Sequence, residues 1–94
     1  MEERYLIRRV GGEIRNGCYF SEDVEYDYKY EIDVDQELEL ARRDVKEALD
    51  GADAEIYELA PKECDSLDGW RALGGVLGRG EDYEFFVEIY ERQE

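Results

Sequence analysis

The chain of 94 residues has no histidine and no threonine, one proline, two serines and two cysteines. Each scarcity closes a route to chemistry. Without histidine there is no side chain that titrates near neutrality without help, and the commonest general base is missing. A cysteine nucleophile usually needs such a base beside it. Ser21 and Ser66 do not sit in the Gly-x-Ser-x-Gly turn that exposes a nucleophilic serine. Paired carboxylates do acid–base work elsewhere, but 27 acidic residues in 94 bring some pair together by chance. No catalytic residue is expected, and the chain is not expected to be an enzyme.

Metal and cofactor sites fare no better. Structural zinc needs four nitrogen or sulfur ligands, and Cys18 and Cys64 alone cannot supply them. The run Asp33-Val-Asp-Gln-Glu-Leu-Glu39 resembles the start of a calcium loop only superficially. That loop needs Gly at its sixth position and Glu at its twelfth, where this chain has Leu38 and Asp44. Gly74-Gly-Val-Leu-Gly-Arg-Gly80 lacks the Gly-Lys-Ser/Thr of a phosphate loop, and a strand rather than a helix follows it. No metal and no cofactor is expected, and 74–80 reads as a mobile loop; Arg79 within it and Arg71 before it are available to contact a partner.

There is also no long apolar run. Nothing approaches the ~20 residues that cross a bilayer, so no membrane span is expected. The opening Met-Glu-Glu-Arg has no basic stretch leading into an apolar one, so no signal peptide is expected either. Two thiols in a chain of this size do not make a disulfide scaffold. Reduced, partly buried cysteines in a cytoplasmic protein are the expectation, with one Cys18–Cys64 bridge as the alternative.

Acidic charge is what the chain has in plenty: 27 acidic residues against 12 basic, a net charge of −15. The excess is uneven. Residues 20–63 hold sixteen acidic and five basic side chains, whereas residues 1–19 are nearly neutral. Such a charge costs stability through self-repulsion, repels nucleic acid and anionic membranes, and attracts basic surfaces.

The apolar residues, 43% of the chain, follow clear periods. Val24, Tyr26, Tyr28, Tyr30, Ile32 and Val34 alternate with Glu25, Asp27, Lys29, Glu31 and Asp33, which predicts a strand over 24–34 with an apolar face and a carboxylate face. Leu38, Ala41, Val45, Ala48, Leu49 and Ala52 then take helical spacing. Asp35 is the expected N-cap and Gly51 the C-terminal stop. Strands are expected at 4–10, ended by Gly11-Gly12, at 54–60 before Pro61, and at 81–91, where Tyr83, Phe85, Val87 and Ile89 share one face and Phe86 and Tyr90 the other. Asn16-Gly17 favours a tight turn because both residues tolerate positive φ. Ser66–Leu73 is expected to hold a short helix capped by Ser66.

These elements predict one α+β domain over 1–94, a small, mostly antiparallel sheet of four or five strands with one main helix packed on one face. In it, Glu25, Asp27, Glu31 and Asp33 would stand about 6.7 Å apart along the strand. Duplex DNA carries one phosphate per ~3.4 Å of axis on each strand, and farther apart through space. Glu37 and Glu39 would extend the row onto the helix. Trp70, beside Gly69, adds an aromatic anchor of the kind found at interfaces. Glu25, Asp27, Glu31, Asp33, Glu37, Glu39 and Trp70 are therefore the expected partner-binding residues.

The expected role is a non-catalytic inhibitor that mimics nucleic-acid charge and blocks a basic nucleic-acid-binding protein or nuclease. Small phage anti-CRISPR and anti-restriction proteins need such a surface, and one of them would act in the host cytoplasm. The alternatives are an immunity protein that plugs a nuclease toxin, and a salt-adapted housekeeping domain with no charged partner. Three lysines against nine arginines suit the last. Direct nucleic-acid binding is not expected; a homodimer through an exposed strand edge is an open alternative.

Overall fold

The computed structural model describes residues 2–50 and 54–93, with the side chains of Ser21 and Glu22 left undescribed. The elements are β1 (Tyr5–Arg15), β2 (Cys18–Lys29), α1 (Val34–Ala48), β3 (Glu55–Leu59), a 3-10 turn (Pro61–Glu63), β4 (Trp70–Arg79) and β5 (Tyr83–Arg92). The five described strands join one sheet in the order β2-β1-β5-β4-β3, and every neighbouring pair is antiparallel. The α+β architecture with one helix on an antiparallel sheet is what the patterning predicted.

The first hairpin turns at Asn16-Gly17, where φ is +52° and +77°. Both central residues are left-handed, which matches the turn to the twist of its strands. Gly11-Gly12 does not end β1, contrary to expectation. The strand runs through them, and the ladder to β2 slips by one residue there. The two glycines allow close approach: a Cβ on Gly12 would lie 2.1 Å from the Phe20 carbonyl oxygen.

α1 packs one face of the sheet. Its Ala41, Val45 and Leu49 meet Ile7 of β1, Val76 of β4, and Val87 and Ile89 of β5 in the main core. A fully buried Val45 contributes about 1.5–3 kcal/mol. Gly78 lets the helix sit this close, since a Cβ there would be 2.3 Å from Val45 Cγ1 and 2.5 Å from Leu49 Cδ1. β5 carries Tyr83, Phe85, Val87 and Ile89 toward this core, as its alternation predicted.

Three other boundaries moved. The strand expected over 24–34 ends at Lys29 and extends back to Cys18 instead. Ile32 leaves the strand to pack against the helix-side core, Asp33 caps the helix in an extended conformation, and Val34 is its first residue. Asp33, not Asp35, accepts the N-cap hydrogen bond, from the Gln36 N–H at 3.3 Å. No helix forms over Ser66–Leu73: Leu67 makes an isolated bridge to Trp70, and β4 starts at Trp70 and runs through the expected mobile loop 74–80 as far as Arg79. There Gly74, Gly75 and Gly78 are buried inside a paired strand, with a bulge between Ala72 and Gly74. Gly51 lies outside the described residues; the helix closes at Leu49, whose N–H bonds the Val45 carbonyl at 3.2 Å.

The other sheet face is covered at its centre by the chain between β3 and β4. Glu88 of β5, 2% exposed, holds it there. Its carboxylate accepts from Arg8 Nη1 at 2.6 Å, from the Asp65 backbone N–H at 2.8 Å and from the Tyr90 hydroxyl at 2.8 Å. Arg8 also bonds the Asp65 carboxylate at 2.8 Å. Burial alone would lower the Arg8 pKa, but hydrogen bonds to Asp65, Glu88 and Tyr26 outweigh it and leave the guanidinium above its ordinary value. For the Tyr90 hydroxyl, burial itself raises the pKa, and the hydrogen bond to Glu88 adds to it. Both cysteines are free thiols, Cys18 exposed and Cys64 half-buried. Burial and the charges of Glu88, Asp65 and Glu63 push the Cys64 thiol up to about 12.

Candidate functional site

The feature of this surface that stands out is β2, an edge strand of 12 residues whose two faces differ in chemistry. On the helix side, Glu25 and Asp27 stand opposite Arg9 and Ile7 of β1. On the other side, Val24, Tyr26 and Tyr28 stand opposite Val10, Arg8 and Leu6. The alternation puts them there as the sequence predicted, but the apolar residues do not enter the helix-side core. Tyr26 is 51% exposed and Tyr28 50% exposed. The chain that covers the centre of that face stops short of β2 and leaves the aromatic row in solvent.

The carboxylates connect strand and helix through one cation. Arg9 lies 3.9 Å from Asp27 and 3.4 Å from Asp44 of α1. Lys29 reaches Asp27 at 3.5 Å. Asp44 was not among the residues singled out from the sequence. Its spacing of seven from Glu37 would have found it, because residues seven apart share a helix face. Two cations thus draw part of the charge from the centre of the row, and Glu25 remains exposed at its side.

The other expected residues divide among different places. Glu31 lies past the end of the strand, in the wall of an open cleft shared with Glu2, Glu3, Arg4, Tyr5, Tyr30, Ile32 and Arg92. Asp33 is occupied as the helix cap. Glu37 is half-buried in the first turns of α1, where a carboxylate suits the helix dipole. Glu39 is exposed beside Arg42, Arg43 and Lys46, the basic part of the helix. A continuous six-carboxylate track is therefore not formed; Glu25, Asp27 and, across Arg9, Asp44 form the connected part. Trp70 opens β4 on the opposite sheet face from Glu25 and Asp27. It is half-buried, with the Arg92 guanidinium 4.5 Å over its ring and Tyr28 6.0 Å away. Trp70 thus belongs with the aromatic row rather than with the carboxylates.

Among the described residues, no group of three or more Cys, Asp or Glu is disposed to hold a metal ion. No described helix is long and apolar enough to cross a membrane. No protein-family model, no curated protein and no solved structure matches the chain.

Proposed function

We propose that the protein is a non-catalytic, cytoplasmic interaction protein that occupies the nucleic-acid-binding surface of a basic protein by presenting carboxylates in place of phosphates. The observation that carries this reading is the net charge of −15, with Glu25 and Asp27 of an edge strand joined to Asp44 of the helix in one acidic flank. Such a flank steers a basic partner at long range and gives salt-sensitive affinity. Half-exposed Tyr26 and Tyr28, on the other face of the same edge strand, offer aromatic anchors that a merely solvated acidic face does not have. An anti-CRISPR or anti-restriction role fits this description, as does an immunity protein whose target is a nuclease.

The test is capture from a nuclease-treated host lysate, bound at low salt and eluted at high salt. The reading expects nucleic-acid-binding proteins to be retained by the wild type and lost with Glu25→Lys/Asp27→Lys. Recovery of no such protein, or recovery indifferent to that charge reversal, would overturn it.

A further inference from the structure

The backbone of β2 itself presents a second recognition element. β1 bonds its two neighbours alternately. The Arg92 N–H donates to the Arg4 carbonyl and the Ile14 N–H to the Asp82 carbonyl, so the even-numbered residues of β1 face β5. Its odd-numbered residues, Tyr5, Ile7 and Arg9, therefore face β2, where their partners are Lys29, Asp27 and Glu25. In an antiparallel ladder the intervening residues turn their N–H and C=O groups the other way. Those of Val24, Tyr26 and Tyr28 point outward, along the edge where, among the described residues, β2 has no neighbouring strand.

We propose that this edge is completed by an extended segment of a partner protein in which basic residues alternate with apolar ones. The free edge supplies backbone pairing at every second residue, and the side chains on either side set the sequence it accepts. Partner residues opposite Val24, Tyr26 and Tyr28 lie on the aromatic side and must be apolar. Those opposite Asp23, Glu25 and Asp27 stand on the carboxylate side, in the non-hydrogen-bonded positions where side chains come closest, and must be basic. The residue opposite Lys29 is acidic or neutral. An antiparallel segment thus reads acidic-apolar-basic-apolar-basic-apolar-basic. The basic character of the partner rests on the function proposed above; the pairing through the edge is a separate claim.

A second copy of this chain fits the edge less well. With Tyr26 on the two-fold axis, Glu25 faces Asp27 twice. With Asp27 on the axis, Asp27 faces itself, although Glu25 gains Lys29. Either register joins two chains that each carry −15, whereas a basic segment relieves that repulsion.

The test uses fluorescent peptides and the purified full chain, read by anisotropy at 150 mM salt. The probe is Glu-Val-Lys-Val-Lys-Val-Lys; the controls are Glu-Lys-Lys-Lys-Val-Val-Val and the probe methylated on its valine nitrogens. The proposal expects the probe to bind at least about tenfold more tightly than either control. It also expects Tyr26→Pro, which removes the outward-facing N–H together with the ring, to bind the probe about tenfold more weakly than Tyr26→Ala, which removes the ring alone, while both keep the far-ultraviolet spectrum. Equal binding of the three peptides means charge attraction without edge pairing and overturns the proposal. So does a Tyr26-dependent doubling of mass in sedimentation, which makes the occupant a second copy. Lysate capture that persists when the peptides do not discriminate would retain the acidic-inhibitor reading and reject the edge.

Discussion

Replacing Glu88 with alanine should be the most damaging single substitution on the face opposite the helix. The carboxylate is 2% exposed and accepts three hydrogen bonds at 2.6–2.8 Å. Its removal leaves the Asp65 N–H without that acceptor and the Arg8 guanidinium with one carboxylate instead of two. Breaking a buried ion pair from one side costs about 3–5 kcal/mol. A domain of this size has roughly 5–14 kcal/mol of stability in all. The loss should therefore lower the urea midpoint by about 2–5 M, taking m as ~1–1.5 kcal/mol/M for a small protein. Urea unfolding followed by Trp70 fluorescence measures it, since Trp70 is the sole tryptophan. Glu88→Gln, which keeps an acceptor, should cost less. The double variant Arg8→Met/Glu88→Leu should be more stable than the sum of its single losses by at least about 1 kcal/mol, because neither charge is then left alone. A loss below about 1 kcal/mol for Glu88→Ala, or strict additivity in the double variant, would mean that Glu88 and Arg8 are not coupled as a buried ion pair.

Other consequences follow from particular contacts. Gly78→Ala places a Cβ against Val45 and Leu49 and should cost about 1–3 kcal/mol in the same urea assay through overpacking. Iodoacetamide at pH 8 should modify exposed Cys18 in the folded protein long before Cys64, whose thiol, pushed up to about 12, is ionised in about one molecule in ten thousand; mass spectrometry of the labelled peptides reads the order. Alkali should destabilise the fold. Cys64 and Tyr90 both have raised folded pKa values, so their contribution is intact below the unfolded values and is lost as pH rises from about 9 towards 12. Melting temperatures across that range should fall, and fall less for Tyr90→Phe. A flat profile would contradict the burial of both groups.

Much of this fold is legible in the sequence where local chemistry and tertiary demand agree. Asn16-Gly17 turns because its backbone preferences and the hairpin's twist coincide. The alternation of Tyr83 to Ile89 reports a strand with one face in the core. Alternation does not say which face the helix will cover, however. Tyr26 and Tyr28 carry the same period as Val87 and Ile89, yet β2 lies at the sheet edge beyond the covering chain, so they stay half-exposed. The glycines of 74–80 mislead for a related reason: their lack of side chains reads locally as looseness, whereas Gly78 is the surface on which α1 packs. Val34 shows the limit of pattern alone. It continues the strand's period, but an Asp33 cap and the pull of Ile32 toward the core end the strand five residues earlier, at Lys29. The connected acidic flank of Glu25, Asp27 and Asp44 was half legible, because no one-dimensional spacing links Asp27 to Asp44; Arg9 does so in three dimensions.

Competition with nucleic acid decides whether carboxylates stand in for phosphates. A captured partner, purified with the protein, is titrated with duplex DNA and with RNA while complex mass is followed. Mutual exclusion is expected: nucleic acid releases the protein, and the milder single variant Glu25→Gln is released at lower nucleic-acid concentration than the wild type. A stable ternary complex of protein, partner and nucleic acid would contradict it.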